Sequence, residues 1–424
     1  MNRAQRFTYQ GYHCEGETVT ALYDLDGRTF REMVTLPDAD LSGPAVDAVI
    51  ELWYLVAGLS YYKTGAALEV DFGAHHVGAH AMAFVQAAYR EGLGEFAYRN
   101  GLDLRDVTFT GDVPFGDPVT PTLGDSVLIP FGGGIDSCVT VEALGHLSRT
   151  LFVMSPANAT FAPLEAAAAS TSVAVARASR SLDLEGLRSH SRFNGHVPVT
   201  AMVTLLACVR ALSDGHGAVV MSNEHSSSVP NLVSDGRAIN HQWSKSAEAE
   251  ALLANAVAER VGPSFTVASF LRDRSELWVA KEFAALTPYH HVFRSCNRAF
   301  TQEQASRALT WCGSCDKCLF INLVLAPFMD RSALADIFGS EPLANPALRG
   351  QLETLVGHSP NEKPFECVGD PGECAAALVA LASAPQWGNV EAIATIAAQL
   401  PSEPSLTSLL EPQGVSRVPA GWLR

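Results

Sequence analysis

Basic residues are scarce in this chain: 29 Lys and Arg stand against 45 Asp and Glu, a formal net charge of −16. Such a surface repels nucleic acid and anionic lipid headgroups, which excludes a general binder of either. A small anionic substrate is not excluded, because a site needs only a local cluster of cations. Long hydrophobic runs are missing too. The most apolar early window, "AVDAVIELWYLVAGLSYY", carries Asp47 and Glu51 and is too short to span a bilayer. The opening stretch "MNRAQRFTYQGYHCEG" has no apolar core of the kind a secretory leader needs. The expectation is a soluble, cytoplasmic protein, in which the nine cysteines are reduced thiols or metal ligands rather than disulfides. Internal repeats and low-complexity tracts are absent as well. What is present, 424 residues of which 47% are apolar, suffices for two or three compact units.

Residues 7–36 alternate in polarity, and Asp26-Gly27 is a hairpin turn between two strand-like runs. The spacing turns helical from Ala45 to Tyr62 and again over 79–92. The stretch 90–106 reads as loop-rich, and 107–125, rich in Gly, Pro and Thr, reads as a linker with a domain boundary near residue 120. Beyond it, "SVLIPF" (126–131) is a short continuous apolar run, as in a strand buried on both faces. A helix over 137–148, strands at 149–156 and within 171–182, a helix over 198–213 and a strand at 217–222 follow. Strands alternating with helices imply a parallel, doubly wound sheet. After about residue 330 the chain is Ala- and Leu-rich and helical, with a Pro-rich tail. The predicted organisation is an α/β protein with an N-terminal α+β unit (1–120), a central α/β unit (121–330) and a helical C-terminal region (331–424).

The central unit opens with "VLIPFGGGIDSCVTVEAL" (127–144), in which a buried strand runs into three glycines and then a helix. Glycines let backbone N–H groups face a ligand, and the helix start adds its own free N–H groups. Together they make an anion nest at the carboxyl end of a parallel strand, where open α/β sheets bind ligands. The loop is neither G-x-x-x-x-G-K-[ST] nor G-x-G-x-x-G. It resembles the pyrophosphatase loop of N-type ATP pyrophosphatases, Ser-Gly-Gly-x-Asp-Ser, with Gly132 in place of the first Ser. That resemblance implies ATP cleaved between its α and β phosphates. An ordinary glycine-rich turn with a capping Asp136-Ser137 is the other reading of the loop alone.

Cys296, Cys312, Cys315 and Cys318 lie in "RSCNRAFTQEQASRALTWCGSCDKCLF". Two overlapping C-x2-C turns bring three thiolates together and Cys296 can close a tetrahedron, the donor set of structural Zn²⁺. An iron–sulfur cluster and unligated thiols are the alternatives. A zinc clasp after such a loop also occurs in 7-cyano-7-deazaguanine synthases. Cys14, Cys138, Cys208, Cys367 and Cys374 show no such spacing, and Cys367 and Cys374 stay unassigned.

Two polar runs follow predicted strands. "MSNEHSSS" places Ser222, Asn223, Glu224 and His225 together, and "NHQWSKSAEAE" places Asn240, His241 and Lys245 together. Loops at strand ends are where α/β sites draw polar groups. Each histidine alone has an ordinary structural reading; the density of the two blocks favours a site. With "LSYYKTG", "REGLGEFAYRNGL", "GGGIDS", "SCNR", "WCGSCDKC" and "KPFECVG", in this order from residue 59 to 369, these stretches resemble the UDP-N-acetylmuramoyl-L-alanyl-L-glutamate epimerase family.

The resemblance implies ATP- and Mg²⁺-dependent inversion of the terminal L-Glu of a UDP-muramoyl dipeptide through an acyl-adenylate. In that scheme Gly132, Gly133, Gly134, Asp136 and Ser137 cradle the ATP phosphates, with Asp136 toward Mg²⁺, and Ser155 meets the nucleoside. Lys245 neutralises pyrophosphate, and Glu224, His225 and His241 are the candidates for proton transfer. Ser222, Asn223 and Asn240 face substrate. Arg272, Arg274, Arg294 and Arg298 offer charge to its anionic groups, with surface ion pairing as an equal alternative. Another adenylating enzyme, a deazaguanine synthase or an amide-forming ligase, is the nearest rival. A non-catalytic nucleotide-binding module is the second.

Overall fold

Alternation near the N-terminus produces a meander of β1 (Arg6–Glu15), β2 (Thr18–Leu25) and β3 (Arg28–Thr35). The β2–β3 turn is the expected Asp26-Gly27 pair, with φ of 50° and 87°, whose twist matches the flanking strands. The computed structural model describes residues 2–111, 113–157, 159–300, 307–308 and 310–422. After the meander come α1 (Pro44–Ala57), β4 (Glu69–Asp71), α2 (Ala79–Ala87), α3 (Gly94–Asn100) and β5 (Thr108–Thr110). The stretch read as loop-rich is therefore mostly helical, with a π-turn at Ala88–Gly92 leading into α3. Gly92 serves close packing, since a Cβ there would stand 3.0 Å from the Trp243 ring and 3.2 Å from Pro198, and Gly101 ends α3 in the left-handed region with φ of 63°. Part of the predicted linker is also ordered, because β5 pairs with β4.

The central segment follows the predicted alternation. Its elements are β6 (Val127–Pro130), α4 (Ile135–Ala143), β7 (Arg149–Pro156), α5 (Ala162–Ser170), β8 (Val175–Ser181), α6 (Val199–Asp214), β9 (Ala218–Met221), a small hairpin of β10 (Leu232–Ser234) and β11 (Arg237–Ile239), α7 (Ala247–Val261), β12 (Thr266–Ser269) and α8 (Glu276–Ala284). The main sheet has ten strands in the order β12-β9-β6-β7-β8-β3-β2-β1-β4-β5. From β12 to β8 all neighbours are parallel, and β8 meets β3 antiparallel, so the meander extends the same sheet. Arg180 of β8 reaches Glu32 of β3 at 2.6 Å across this junction and Ser60 at 2.8 Å. One hydrophobic core joins the meander, α1, α6 and α7 on one face; the other joins α4, α8 and the C-terminal helices on the opposite face. The architecture is thus α/β, with a mostly parallel mixed sheet.

The last hundred residues are helical, as expected. α9 (Asp316–Leu325) is buried along most of its length and packs against α8 and α10 (Pro371–Ala382). Among the described residues no helix is long and apolar enough to cross a membrane.

Candidate functional site

Three neighbouring parallel strands, β12, β9 and β6, end on the same edge, and each delivers one carboxylate there. Asp136 lies in the first turn of α4 after β6, Glu224 in the loop after β9, and Glu276 at the first position of α8 after β12. One oxygen from each lies within 4.8 Å of the others. Glu224 and Glu276 are only 4% and 3% exposed, and Asp136 Oδ1 and Glu276 Oε1 are buried without a hydrogen-bond partner. Burial first, and then mutual repulsion, push Asp136 and Glu276 above the ordinary carboxylate range. Lys245 and Lys317 oppose that repulsion at Asp136. Buried, mutually repelling oxygen donors are the chemistry that a hard divalent cation satisfies.

The glycine loop lies between β6 and this cluster. Gly133 has φ of 69°, and a Cβ there would press on the Leu164 backbone of α5 at 3.3 Å. A Cβ on Gly134 would stand 2.9 Å from Ser295 Oγ, whereas Gly132 faces open space. Arg294 donates its backbone N–H to Gly133 O at 3.2 Å, so the segment before Cys296 braces the loop. No side chain caps the start of α4, whose first N–H groups are left for a ligand. Ser137 Oγ turns back to donate to Gly134 O at 3.1 Å.

A second polar group adjoins the carboxylates. Lys245 Nζ donates to Cys367 Sγ at 3.8 Å. His241 lies beside the same thiol, and its Nδ1 lies 2.5 Å from Glu95 Oε2. Burial would raise the Cys367 thiol, but Lys245 and His241 hold it at about 6. Burial would likewise lower His241, yet Cys367 and Glu95 hold it at about 9. Lys363, 7% exposed, has an Nζ with no hydrogen-bond partner.

The other predicted site residues fall into different places. Arg272 is buried and engaged with Glu250 at 2.8 Å, Glu224 O at 3.0 Å and Lys245 O at 2.7 Å, so it braces the two polar loops. Arg274 stacks on Trp278, Arg294 donates to Phe293 O at 2.7 Å, and Arg298 is exposed. His225 is exposed beside Gly414 of the tail. Asn240 shapes its own turn, accepting from Gln242 N at 2.8 Å, and Asn223 donates to Ser269 Oγ at 3.1 Å. Ser222 Oγ is buried without a partner, and Ser155 lies near the carboxyl end of β7. Sequence reasoning missed Glu276, Lys317, Lys363, Cys367 and Glu95. Cys367 and Lys363 sit in "KPFECVG" and Glu95 in "EFAYRN", stretches singled out as motifs, so the signal was there without the side chain.

The four predicted cysteines converge, with one sulfur from each within 4.8 Å of the others. Cys318 Sγ lies 3.5 Å from Cys312 Sγ and 3.4 Å from Cys315 Sγ. Thiolates about 2.3 Å from one zinc stand roughly 3.8 Å apart, so the set fits a closed tetrahedral site. Cys315 stands at the start of α9, which carries Lys317 toward the carboxylates.

Fold and site define a class: an α/β protein with a candidate site at the carboxyl ends of parallel strands, together with a four-cysteine cluster. Comparison with known proteins narrows it. The MurL N-terminal domain matches residues 1–270 and the MurL C-terminal domain residues 292–410. The chain belongs to the MurL family. It is 38% identical over 421 residues to a UDP-N-acetyl-alpha-D-muramoyl-L-alanyl-L-glutamate epimerase of Salinispora tropica, covering 95% of this chain and 90% of the relative. Proteins of the same name from a Micromonospora species (38%, 100% and 98% covered) and from Xanthomonas oryzae pv. oryzae (34%, 99% and 96% covered) are similar over their whole length. No solved structure matches the chain.

Proposed function

We propose that this chain is the epimerase that converts the terminal L-Glu of UDP-MurNAc-L-Ala-L-Glu to D-Glu in peptidoglycan precursor synthesis. The observation that carries the reading is the likeness of the whole chain, through both family domains, to relatives named for that reaction. An α-proton beside a free carboxylate resists removal, because the product would be a dianion. Adenylation removes that charge and makes the acyl group an electron sink. We read Gly132–Ser137 as a pyrophosphatase loop within a nucleotide-binding unit over 121–330, with the 1–120 unit and the helical 331–424 region completing it. Three features support the loop reading: the left-handed Gly133, the open space at Gly132 and the uncapped helix start. Asp136, Glu224 and Glu276 would hold Mg²⁺, which supplies charge neutralisation for adenylyl transfer. Lys245 and Lys317 add fixed positive charge where pyrophosphate would leave. The four-cysteine site, closed by its own ligands, holds α9 and the segment that braces the loop.

Incubation with ATP, Mg²⁺ and UDP-MurNAc-L-Ala-L-Glu tests the reading. The expected products are AMP, pyrophosphate and a dipeptide whose hydrolysis releases D-Glu. AMP formed without D-Glu would point instead to a ligase or another adenylating enzyme.

A further inference from the structure

Cys367 has no part in the scheme above, yet the loop that carries it is held from three distant segments. Asn231 donates to Pro364 O at 2.6 Å, Gln242 donates to Val368 O at 3.2 Å, and the Arg99 guanidinium lies 4.9 Å over the Phe365 ring. These contacts present a partly buried thiol beside the carboxylate cluster. Behind it stands a directed chain of groups. Lys245 donates to the sulfur, His241 lies beside it, and Glu95 holds Nδ1 of His241. Glu95 is in turn fixed by Arg99 at 2.7 Å. The order thiol, imidazole, carboxylate is that of an activated sulfur whose base is oriented by a third group. Independent of this chain, Lys363 on the same loop buries an ammonium that has carboxylates near it, Asp370, Glu224 and Glu276, but no hydrogen-bond partner. Its unused N–H groups are free to take an anionic oxygen of a ligand. They match the carboxyl and phosphate groups of an acylated amino-acid substrate.

Resting on the function proposed above, we infer that Cys367 is the catalytic base of the epimerisation, with His241 and Glu95 as its positioning residues. The thiolate takes the glutamyl α-proton once the carboxyl is adenylated. The Cα–H bond breaks, an S–H bond forms, and the electron pair moves onto the acyl oxygen as an enolate. A proton from water returns to the opposite face, and the thiol's proton neutralises the hydroxide left behind. The groups around the sulfur are Lys245, His241, Lys317 and Asp136, and His196 packs behind His241 with ring centroids 4.2 Å apart and shares Glu95 with it. Cations around a sulfur favour its thiolate, the form the step uses.

The experiment compares the full-length protein with Cys367→Ser and Cys367→Ala in D₂O, supplied with ATP, Mg²⁺ and UDP-MurNAc-L-Ala-L-Glu. AMP and α-deuterium are measured separately. Both variants should still form AMP, while deuterium incorporation and D-Glu fall by about a hundredfold or more, the usual contribution of a positioned base. A Cys367→Ser protein that exchanges the α-proton at the unmodified rate overturns the inference. Unmodified protein that makes AMP without exchange overturns the epimerase reading itself, and this inference with it. If the Cys367 variants fail to fold, His241→Asn decides. Without the imidazolium the thiol ionises less readily, so the acidic limb of the exchange rate should move to higher pH. An unmoved limb overturns the role of the sulfur.

Discussion

The guanidinium of Arg272 is fully engaged inside the protein, between Glu250 and the backbone oxygens of Glu224 and Lys245. Arg272→Ala should therefore act on stability before chemistry. Removing one partner leaves the Glu250 carboxylate buried and uncompensated, at a cost of about 3–5 kcal/mol. The check is a lowered urea midpoint. Arg298→Ala, at an exposed position, should change the midpoint little. In the sequence these arginines look alike, because nothing local reports burial. Asp136 behaves in the opposite way. It is one of three mutually repelling carboxylates, so Asp136→Asn relieves repulsion and should leave thermal stability equal or higher. AMP formation should nevertheless drop by about a hundredfold, on the scale of a lost electrostatic contact at a reacting phosphate. A variant that melts early, or that turns over normally, would remove Asp136 from the site.

At the scale of elements, the turn between β6 and α4 was legible because each part carries its own signal: a continuous apolar run, three glycines, then helical spacing. The structure adds which glycine matters for shape. Gly133→Ala must adopt φ near 69° against the Leu164 backbone, which should cost at least about 1–2 kcal/mol and distort the loop. Gly134→Ala meets only the end of the Ser295 side chain, which can turn away, so it should fold nearly as the unmodified chain does. Thermal melts of the two variants side by side check this order. The helical stretch near residue 94 was not legible, since a glycine used for close packing looks like a turn glycine. Nor was the β3–β8 junction, because nothing within either strand names its partner. A similar long-range tie joins α1 to α7 through Glu51 and Arg260 at 2.7 Å. Burial would raise the Glu51 carboxyl, but His75, the His76 N–H and Arg260 hold it at about 2 against an ordinary 4.5. Its contribution is present above about pH 4.5 and is lost as pH falls toward 2. Urea midpoints across that window should fall with pH, and Glu51→Gln should flatten the slope.

Across the whole molecule, the site is assembled from segments as far apart as Glu95 and Cys367, and the motifs of the sequence meet in space around one edge of the sheet. Their existence was legible; their convergence was not, because it depends on which strands are neighbours and on a loop near residue 367 returning to α3. The four-cysteine clasp has the widest reach of these connections. Cys296 follows the segment whose Arg294 N–H holds Gly133 and whose Ser295 lies beside Gly134, while Cys315 stands at the start of the helix that carries Lys317. One metal ion on the four cysteines would therefore fix the glycine loop and a site lysine together, from a cluster separate from the three carboxylates. Purified protein should contain about one zinc per chain, as four thiolates around one ion require. Cys315→Ser should lower zinc content and thermal stability together, because the energy of metal binding is part of the energy of folding. AMP formation should fall in parallel with bound zinc, and restoring zinc to chelator-treated protein should recover both. A zinc-free protein of unchanged melting temperature and full AMP formation would show that the cysteines hold the fold without metal. The loop would then have to be positioned by the hydrogen bonds of Arg294 and the packing of α5 alone.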